Sequence, residues 1–259
     1  MSFSLEKWYL DLVDDDGVAV IGYAARLHTG PLATRYASIL HSPSAGAPTE
    51  RTALRRIRPP EFHRGTLSWA CVPLGLEGEW VAEGAPISRA LFATEAGSIE
   101  WECLLPRARA RIRLGGNAIA GYGYAERLRL TLPPGQLPFH RLRWGRHVSD
   151  RHSVVWIAWD GATTRHSVWL DGVEEPGARL TSSGVEGLPQ GQSLRLSGSR
   201  TLRDRPVLGA VGEALPEFAR HLAGPLGTMR EHKRLDRSSL MAGGLTLDAG
   251  WCIPEEVMW

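Results

Sequence analysis

The sequence predicts an all-β protein built from two antiparallel barrels or sandwiches packed together. Short runs rich in Val, Ile, Trp and Tyr alternate with Gly, Pro and Asp turn clusters along all 259 residues. Helix signals are scarce. The β-rich runs fall into two halves on either side of the Pro-rich segment Pro133–Pro138, which we interpret as a linker. This pattern predicts two domains, 1–138 and 139–259.

Period-2 alternation predicts the strands in chain order. The first two, Lys7–Val13 and Val18–Leu27, form a hairpin around the turn Asp14–Gly17. The other predicted strands are Thr66–Val72, Glu79–Glu83, Ser88–Thr94, Ser98–Leu104, Arg107–Leu114, Ala120–Leu132, Arg141–His147, Ser153–Trp159, His166–Leu170, Ser193–Leu196, Gly227–Arg234 and Gly250–Trp259.

Two segments depart from the strand pattern. Leu215–Ala223 is predicted to form the one short helix, because Pro216 suits a first helical turn and Gly224 suits a C-terminal cap. Ser42–Gly65 is rich in Pro and Arg, and we expect a long surface loop there. Loops of that length are often functional lids or disordered, and the sequence leaves both open.

Composition excludes several classes of protein. The net charge of +2, from 30 basic and 28 acidic residues, argues against nucleic-acid binding by bulk charge. A hydrophobic content of 43% excludes a disordered chain. The charged residues Glu6, Lys7 and Asp11 exclude a signal peptide, and no apolar run is long enough to span a membrane. We therefore expect a cytoplasmic protein without an integral membrane segment, and peripheral membrane contact stays open.

Cofactor and metal signatures are missing from the sequence. There is no phosphate-binding loop, dinucleotide-binding glycine motif or nucleophile elbow. The His spacings in His140–His152 match no zinc pattern. The three cysteines form no CxxC pair, which fits a reducing compartment. If the protein is an enzyme, we expect it to use side chains and cavity shape alone, with no cofactor and no metal.

Alternation places Glu126 on an apolar face. In the predicted strand Ala120–Leu132, Glu126 shares a face with Tyr122 and Tyr124, and the small and polar residues between them are expected to point outward. A buried carboxyl group must be paired or protonated. Burial raises the pKa of such a group, which would suit a general acid. The alternative is a structural Glu126 paired with an Arg or a tyrosine hydroxyl.

Three further strands complete the candidate site and its surroundings. Ile99 and Trp101 face inward on Ser98–Leu104, where Trp101 is either plain core or a ligand wall. Trp144 and Arg146 share a face on Arg141–His147, and Glu126 is a candidate partner for Arg146. The four arginines of Arg107–Leu114 share one face, which we expect to be the solvated outer surface.

GYGYAE at Gly121–Glu126, followed by Trp144-Gly145-Arg146 and the aromatic strand Val154–Trp159, resembles the carotenoid 1,2-hydratase (hydroxyneurosporene synthase) family. That family belongs to a wider lipocalin-like group. Its members carry a G-x-G-Y-x-D segment and then W-x-R, preceded by an H-x-W strand that ends in a proline and small residues. Ile99-Glu100-Trp101 and Pro106–Arg109 stand in that earlier place. The resemblance covers about Ser98–Asp160.

The resemblance implies two consecutive lipocalin/calycin-like β-barrels with a lipophilic cavity. In the hydratases an acidic residue protonates a terminal isoprenoid double bond, and water captures the carbocation. By position, Tyr124 and Glu126 match the Y-x-D pair with Glu in place of Asp, and Trp101 matches the tryptophan of H-x-W. Ile99 replaces the histidine, which sets this chain apart from the hydratase pattern. The related fold also supports cofactor-free cyclases, including those of intramolecular [4+2] reactions.

Two functions follow as hypotheses. In the first, a cofactor-independent enzyme hydrates or cyclises a lipophilic polyene or isoprenoid. Glu126 is then the acid and Tyr124 its hydrogen-bonding partner, and the substrate is bound by Trp101, Tyr122, Trp144, Ile99 and Arg146. In the second, the protein is a lipocalin-like carrier of a hydrophobic small molecule without catalysis.

Overall fold

The structure is a computed structural model that describes residues 3–162, 164–206 and 229–258. Within these ranges the chain is almost entirely antiparallel β-strand, interrupted by 3-10 turns at Val72–Leu74, Pro134–Gln136 and Pro189–Gly191. The all-β prediction is therefore confirmed. The helix predicted over Leu215–Ala223 lies outside the described residues.

Ten strands form the first sheet: β1 (Phe3–Val13), β2 (Ala19–Thr29), β3 (Leu32–Ser42), β4 (Thr49–Ala53), β5 (Glu61–His63), β6 (Thr66–Cys71), β7 (Leu76–Ala82), β8 (Ile87–Thr94), β9 (Gly97–Leu114) and β10 (Asn117–Leu130). Their spatial order is β4-β3-β2-β1-β10-β9-β7-β6-β5, and β8 pairs with β9 beside this path. The first and last strands, β1 and β10, are therefore neighbours near the middle of the sheet.

Nine strands form the second sheet: β11 (Phe139–Ser149), β12 (Ser153–Gly161), β13 (Arg165–Leu170), β14 (Val173–Glu174), β15 (Arg179–Thr181), β16 (Gly184–Leu188), β17 (Gln192–Pro206), β18 (Arg230–Ala242) and β19 (Leu245–Met258). Their order is β14-β13-β12-β11-β19-β18-β17-β16-β15. The first and last strands, β11 and β19, are again central neighbours. The two sheets thus share one arrangement, consistent with two lipocalin-like barrels.

The described residues divide into two compact units, 3–137 and 138–206 with 229–258. Each unit contains one sheet and has a core cluster of its own. The predicted domains, 1–138 and 139–259, remain a prediction about which parts fold independently.

The first sheet curls so that strands from its two ends approach each other. Arg51 on β4 donates from Nη2 to the carbonyl oxygen of Leu74, in the turn after β6, at 2.6 Å. Trp69 on β6 donates its indole N–H to the carbonyl oxygen of Arg58 at 3.0 Å. Since β4 and β6 lie near opposite ends of the strand order, these contacts close the sheet around its core. That core includes Trp8, Leu10, Leu12, Leu67, Trp69, Trp80, Leu105 and Ala125.

The prediction of a long irregular loop over Ser42–Gly65 is wrong. The segment contains β4 and β5, and Ile57 between them is buried in the core. The sequence did not reveal these strands because both are short and lie at the edges of the sheet, where β5 is exposed and β4 is partly exposed, so neither shows an apolar face. The strand β3 was missed in the same part of the chain.

One strand is longer than its sequence indicates. Ser98–Leu104 and Arg107–Leu114 are predicted as separate strands, yet β9 runs from Gly97 to Leu114 through the gap between them, which contains Pro106. The pairing with β10 is irregular there: Gly123 faces Ala108, Ala125 faces Leu105 and Glu126 faces Cys103. Pro106 therefore lies in a β-bulge, where a missing N–H is tolerated.

Candidate active site

The centre of the first sheet has two buried faces. One face, the core face, carries Leu10 and Ala125 against the core of the first unit. The opposite face, the site face, carries Tyr9 and Asp11 on β1, which lie opposite Glu126 and Tyr124 on β10. Tyr9, Asp11 and Tyr124 are buried, and Glu126 is half-buried.

The expectation that Gly123 and Ala125 point outward is therefore wrong. They lie on the core face, and their small size reflects close packing. A Cβ atom on Gly123 would lie 2.7 Å from Cδ1 of Trp80 and 2.5 Å from the carbonyl oxygen of Asp11. Small residues on β10 thus make room for a tryptophan behind the site.

The bulge in β9 directs two more side chains onto the site face. Leu105 belongs to the core, but Cys103, only two residues away, faces Glu126 across the β9–β10 pair. Trp101, which faces Leu128, precedes Cys103 on the same face. A regular strand would place residues 103 and 105 on one face, so the irregularity separates core from site.

Two hydrogen bonds converge on one oxygen of Glu126. The indole Nε1 of Trp101 donates to Oε2 at 2.6 Å, and the hydroxyl of Tyr124 donates to the same Oε2 at 2.6 Å. The three residues were predicted from sequence to lie together, and the structure brings them into direct contact. Both donors therefore fix the orientation of the carboxyl group through its Oε2 atom.

The partners of Glu126 stay protonated. Burial, and then the neighbouring Cys103 and Glu126, raise the pKa of Tyr124 well above its usual range. Burial also raises the pKa of the Cys103 thiol well above its usual range, and this thiol is hydrogen-bonded to Tyr124. The Tyr124 hydroxyl therefore keeps its proton at neutral pH and donates a hydrogen bond there.

Aromatic side chains surround this group. The rings of Tyr9 and Tyr124 meet edge to face with their centroids 6.0 Å apart, and those of Tyr9 and Tyr23 do so at 5.4 Å. Each of the three tyrosines is almost fully buried. Packed aromatic rings that carry hydroxyl groups therefore surround the Glu126 carboxyl group on this face.

Two other predicted site residues lie on the same sheet at different positions. Ile99 is buried and precedes Trp101 on the site face. Tyr122 is half-buried and is covered by the guanidinium of Arg109, 3.9 Å from the ring centroid. Arg109 is itself paired with Glu83 at 3.1 Å. Tyr122 therefore lies beside the arginines of β9. Of these, Arg109, Arg111 and Arg113 are exposed, and Arg107 is half-buried.

Trp144 and Arg146 lie in the second unit, on β11. Both are buried, and Arg146 donates from Nη1 to the carbonyl oxygen of Trp251 at 3.0 Å. The Lys233 ammonium lies 5.7 Å from the centroid of the Trp144 ring. Pairing of Arg146 with Glu126 and substrate contact by either residue stay predictions.

Alternation placed Cys103 on the inward face with Trp101, but sequence reasoning missed Tyr9, Asp11 and Tyr23 as residues of the site face. For β1, Tyr9 and Asp11 alternate with the more apolar Trp8, Leu10 and Leu12. That pattern normally marks a solvent face, so two buried faces on one strand were not foreseen.

Two properties of the described residues bear on the class of protein. No group of three or more His, Cys, Asp or Glu side chains in the described ranges could hold a metal ion. Of the helical turns that the structure describes, none has the length and apolarity needed to cross a lipid bilayer.

The chain resembles several solved structures over almost its whole length. An AttH-type protein from Nitrosomonas europaea has a TM-score of 0.54 at 11% identity, covering 99% of this chain and 92% of that one. CghA with bound Sch210972 has a TM-score of 0.56 at 12% identity, covering 99% and 88%. Kievitone hydratase from Nectria haematococca has a TM-score of 0.54 at 8% identity, covering 98% and 88%.

No protein-family model matches the chain, and no curated protein matches it in sequence. At identities this low, the structural likenesses establish the fold and leave the activity to be argued from the site.

Proposed function

We propose that the protein is a cofactor-independent enzyme that hydrates or cyclises a lipophilic polyene or isoprenoid. The observation that carries the proposal is the pair of hydrogen bonds from Trp101 and Tyr124 to Oε2 of Glu126. They orient a half-buried carboxyl group among buried aromatic rings, which is what acid-assisted chemistry on a carbon–carbon double bond requires.

For hydration, Glu126 acts as the general acid. Its carboxyl proton is transferred to the terminal carbon of a double bond, and the resulting tertiary carbocation is captured by water. The carboxylate then takes the proton released from the bound water, so the acid is regenerated. Trp101 lies beside the carboxyl group, and its electron-rich ring can stabilise the positive charge.

For cyclisation, the same residues need only hold the substrate in a folded conformation and donate hydrogen bonds to it. A polyene held in a folded conformation reacts intramolecularly without net proton transfer, and most of the acceleration comes from orientation. The Tyr124 hydroxyl and a protonated Glu126 are donors for a carbonyl group on the substrate. CghA, solved with bound Sch210972, and kievitone hydratase share the fold, which is thus compatible with binding a small molecule and with hydration.

The test compares the wild type with Glu126→Gln. Purified protein is extracted and analysed by native mass spectrometry for a bound lipophilic compound, and is then incubated with acyclic carotenoids and polyenes. A product heavier by one water indicates hydration, and a product of unchanged mass with altered absorbance indicates cyclisation. Loss of the acid should lower hydration by about 100-fold or more with ligand affinity kept. Cyclisation should fall less, because glutamine still donates a hydrogen bond.

A non-catalytic carrier is the second candidate, and Ile99 is the observation that favours it. This buried aliphatic side chain stands where the hydratase pattern has a histidine, so the site has one proton-transfer group fewer. A carrier would return its bound compound unchanged, and Glu126→Gln would leave both its ligand and its affinity unaltered. Turnover by the wild type that the Gln variant lacks would contradict this candidate.

A further inference from the structure

Lys7 places a half-buried ammonium group on the site face. It lies on β1 two residues before Tyr9, and in the β1–β10 register it faces Leu128 as Tyr9 faces Glu126. Its Nζ lies 4.9 Å from the centroid of the Tyr23 ring. Among the described residues, no carboxylate oxygen lies within 4.0 Å of it.

Lysine is rare in this chain, and its other occurrence is neutralised. Of the 30 Lys and Arg residues only Lys7 and Lys233 are lysine. Lys233 is fully buried and pairs with both Glu231 and Glu255. The ammonium of Lys7 differs because its contact is the face of an aromatic ring. An ammonium is a compact point charge, suited to one oxygen anion where a guanidinium prefers a planar bidentate partner.

Lys7 is connected to Glu126 through packed aromatic rings. Tyr23, Tyr9 and Tyr124 follow one another in edge-to-face contact, and the Tyr124 hydroxyl donates to Glu126. Diagonal neighbours on adjacent antiparallel strands have Cα atoms on the order of 7 Å apart. The ammonium and the carboxyl group thus lie on one face, at a separation that a single small molecule can span.

The residues around Lys7 are apolar or small. Leu128 faces it from β10, Ala25 faces it from β2, and Leu5 precedes it on the same face. Leu5 and Leu128 are half-buried. A cation in an apolar surround attracts an anion more strongly than a cation in bulk water does. This position therefore favours a ligand that is apolar along its length and anionic at one point.

We propose that Lys7 binds an anionic oxygen of the substrate, so that the substrate is a polyene or isoprenoid with an acidic group and not a neutral hydrocarbon. This inference rests on the proposed function, because it assigns the substrate class of the same site. Lys7 fixes the acidic end of the substrate, and the double bonds then extend from Lys7 toward the half-buried Glu126, its diagonal neighbour on β10.

The experiment uses two probes that differ only in charge. The fluorescent polyene cis-parinaric acid and its methyl ester are titrated into the full chain at about pH 8, where the free acid is ionised. The variants are Lys7→Met, Lys7→Arg and the control Arg35→Met, which removes one charge from an exposed position on β3. Circular dichroism and urea unfolding verify that each variant is folded.

We expect the wild type to bind the acid about tenfold more tightly than the ester, as one charge-assisted hydrogen bond provides. Lys7→Met should abolish this preference by weakening acid binding alone, Lys7→Arg should retain part of it, and Arg35→Met should leave it unchanged. The preference should decrease as salt is added.

Two results overturn the inference, and they differ in what else they overturn. Equal binding of acid and ester by the wild type, or an intact preference in Lys7→Met, refutes the role of Lys7 and leaves the proposed lipophilic site standing. Failure of both probes to bind refutes the lipophilic site and the inference together.

Discussion

Trp80 donates its indole N–H to the backbone carbonyl oxygen of Asp11 at 2.7 Å. The bond runs from the core of the first unit to the strand that carries the site face, and both groups are buried. The packed core therefore holds the site face from behind, and the position of Tyr9 and Asp11 depends on a tryptophan that lies in the core. A site supported by packing in this way keeps its geometry before a ligand binds.

Gly123→Ala should destabilise the protein, because the contact between Trp80 and β10 leaves no space for a methyl group. The new Cβ would approach the Asp11 carbonyl oxygen, Trp80 and Ala110 within 2.5 to 2.9 Å. We expect the free energy of unfolding to fall by about 1–3 kcal/mol, measured by urea denaturation. Gly84→Ala is the control, since its nearest atoms lie at 3.5 Å or beyond. Equal effects of the two substitutions would contradict the packing argument.

Tyr124→Phe should lower turnover and change its pH dependence. The variant removes one of the two donors to Oε2 of Glu126 and leaves the Trp101 bond in place. A hydrogen bond to a carboxylate contributes about 1.5–3 kcal/mol, which corresponds to roughly a 10- to 100-fold loss in kcat. Because the ionised carboxyl group loses a donor, the alkaline limb of the pH–rate profile should move to higher pH.

Two results separate this role from a structural one. A variant that merely unfolds would lose activity without a shift of the alkaline limb. Phe in place of Tyr9, which adjoins Tyr124 through its ring, serves as the control and should leave that limb in place. An unshifted profile in Tyr124→Phe would contradict the assignment of the hydroxyl to Glu126.

Acid should destabilise the second unit through His147. Its Nδ1 lies 2.7 Å from the Ser238 hydroxyl inside this unit. Burial, and then the charge of Arg146, lower the pKa of His147 from 6.5 to about 3. The unfolded chain binds a proton below about pH 6.5 that the folded chain excludes, so stability decreases as the pH falls from 6.5 toward 3. The loss is at most about 1.4 kcal/mol per pH unit.

Urea unfolding at a series of pH values measures this effect. His147→Gln cannot be protonated, so the slope of stability against pH between 6.5 and about 4 should decrease. His63→Gln is the matched control, because His63 is exposed on β5. The same slope in His147→Gln and the wild type would show that another group is responsible.

The contact between Trp101, Tyr124 and Glu126 was predictable from sequence because alternation and a short motif agreed. Tyr124 and Glu126 have equal parity, and Trp101 lies on a strand whose alternation is clear up to the bulge. Two-residue periodicity therefore places all three side chains on one face. The hydrogen bonds from Trp101 and Tyr124 to Glu126 require this placement.

The second buried face could not be predicted, because alternation assigns only one face of a strand to a core. Gly123 and Ala125 were interpreted as outward-facing since small residues often are, although small size also marks close packing against a large ring. Tyr9 and Asp11 were overlooked for the related reason that polar side chains opposite an apolar stripe usually face solvent. Only tertiary contacts distinguish these cases.

Lys233→Met should destabilise the second unit more than any exposed substitution on the same strand. The Lys233 ammonium is fully buried, lies 3.3 Å from Glu231 and also pairs with Glu255. Its removal leaves the largely buried carboxylate of Glu255 without a cation, whereas Glu231 keeps its ion pair with Arg203, and breaking such a pair costs about 3–5 kcal/mol. Arg230→Met is the control, because its pair with Asp204 has side chains 61% and 44% exposed and should change stability by less than about 1 kcal/mol.

Since Glu255 is then the uncompensated charge, Lys233→Met combined with Glu255→Gln should cost less in urea unfolding than the sum of the single variants. Strict additivity would show that the two side chains do not stabilise each other.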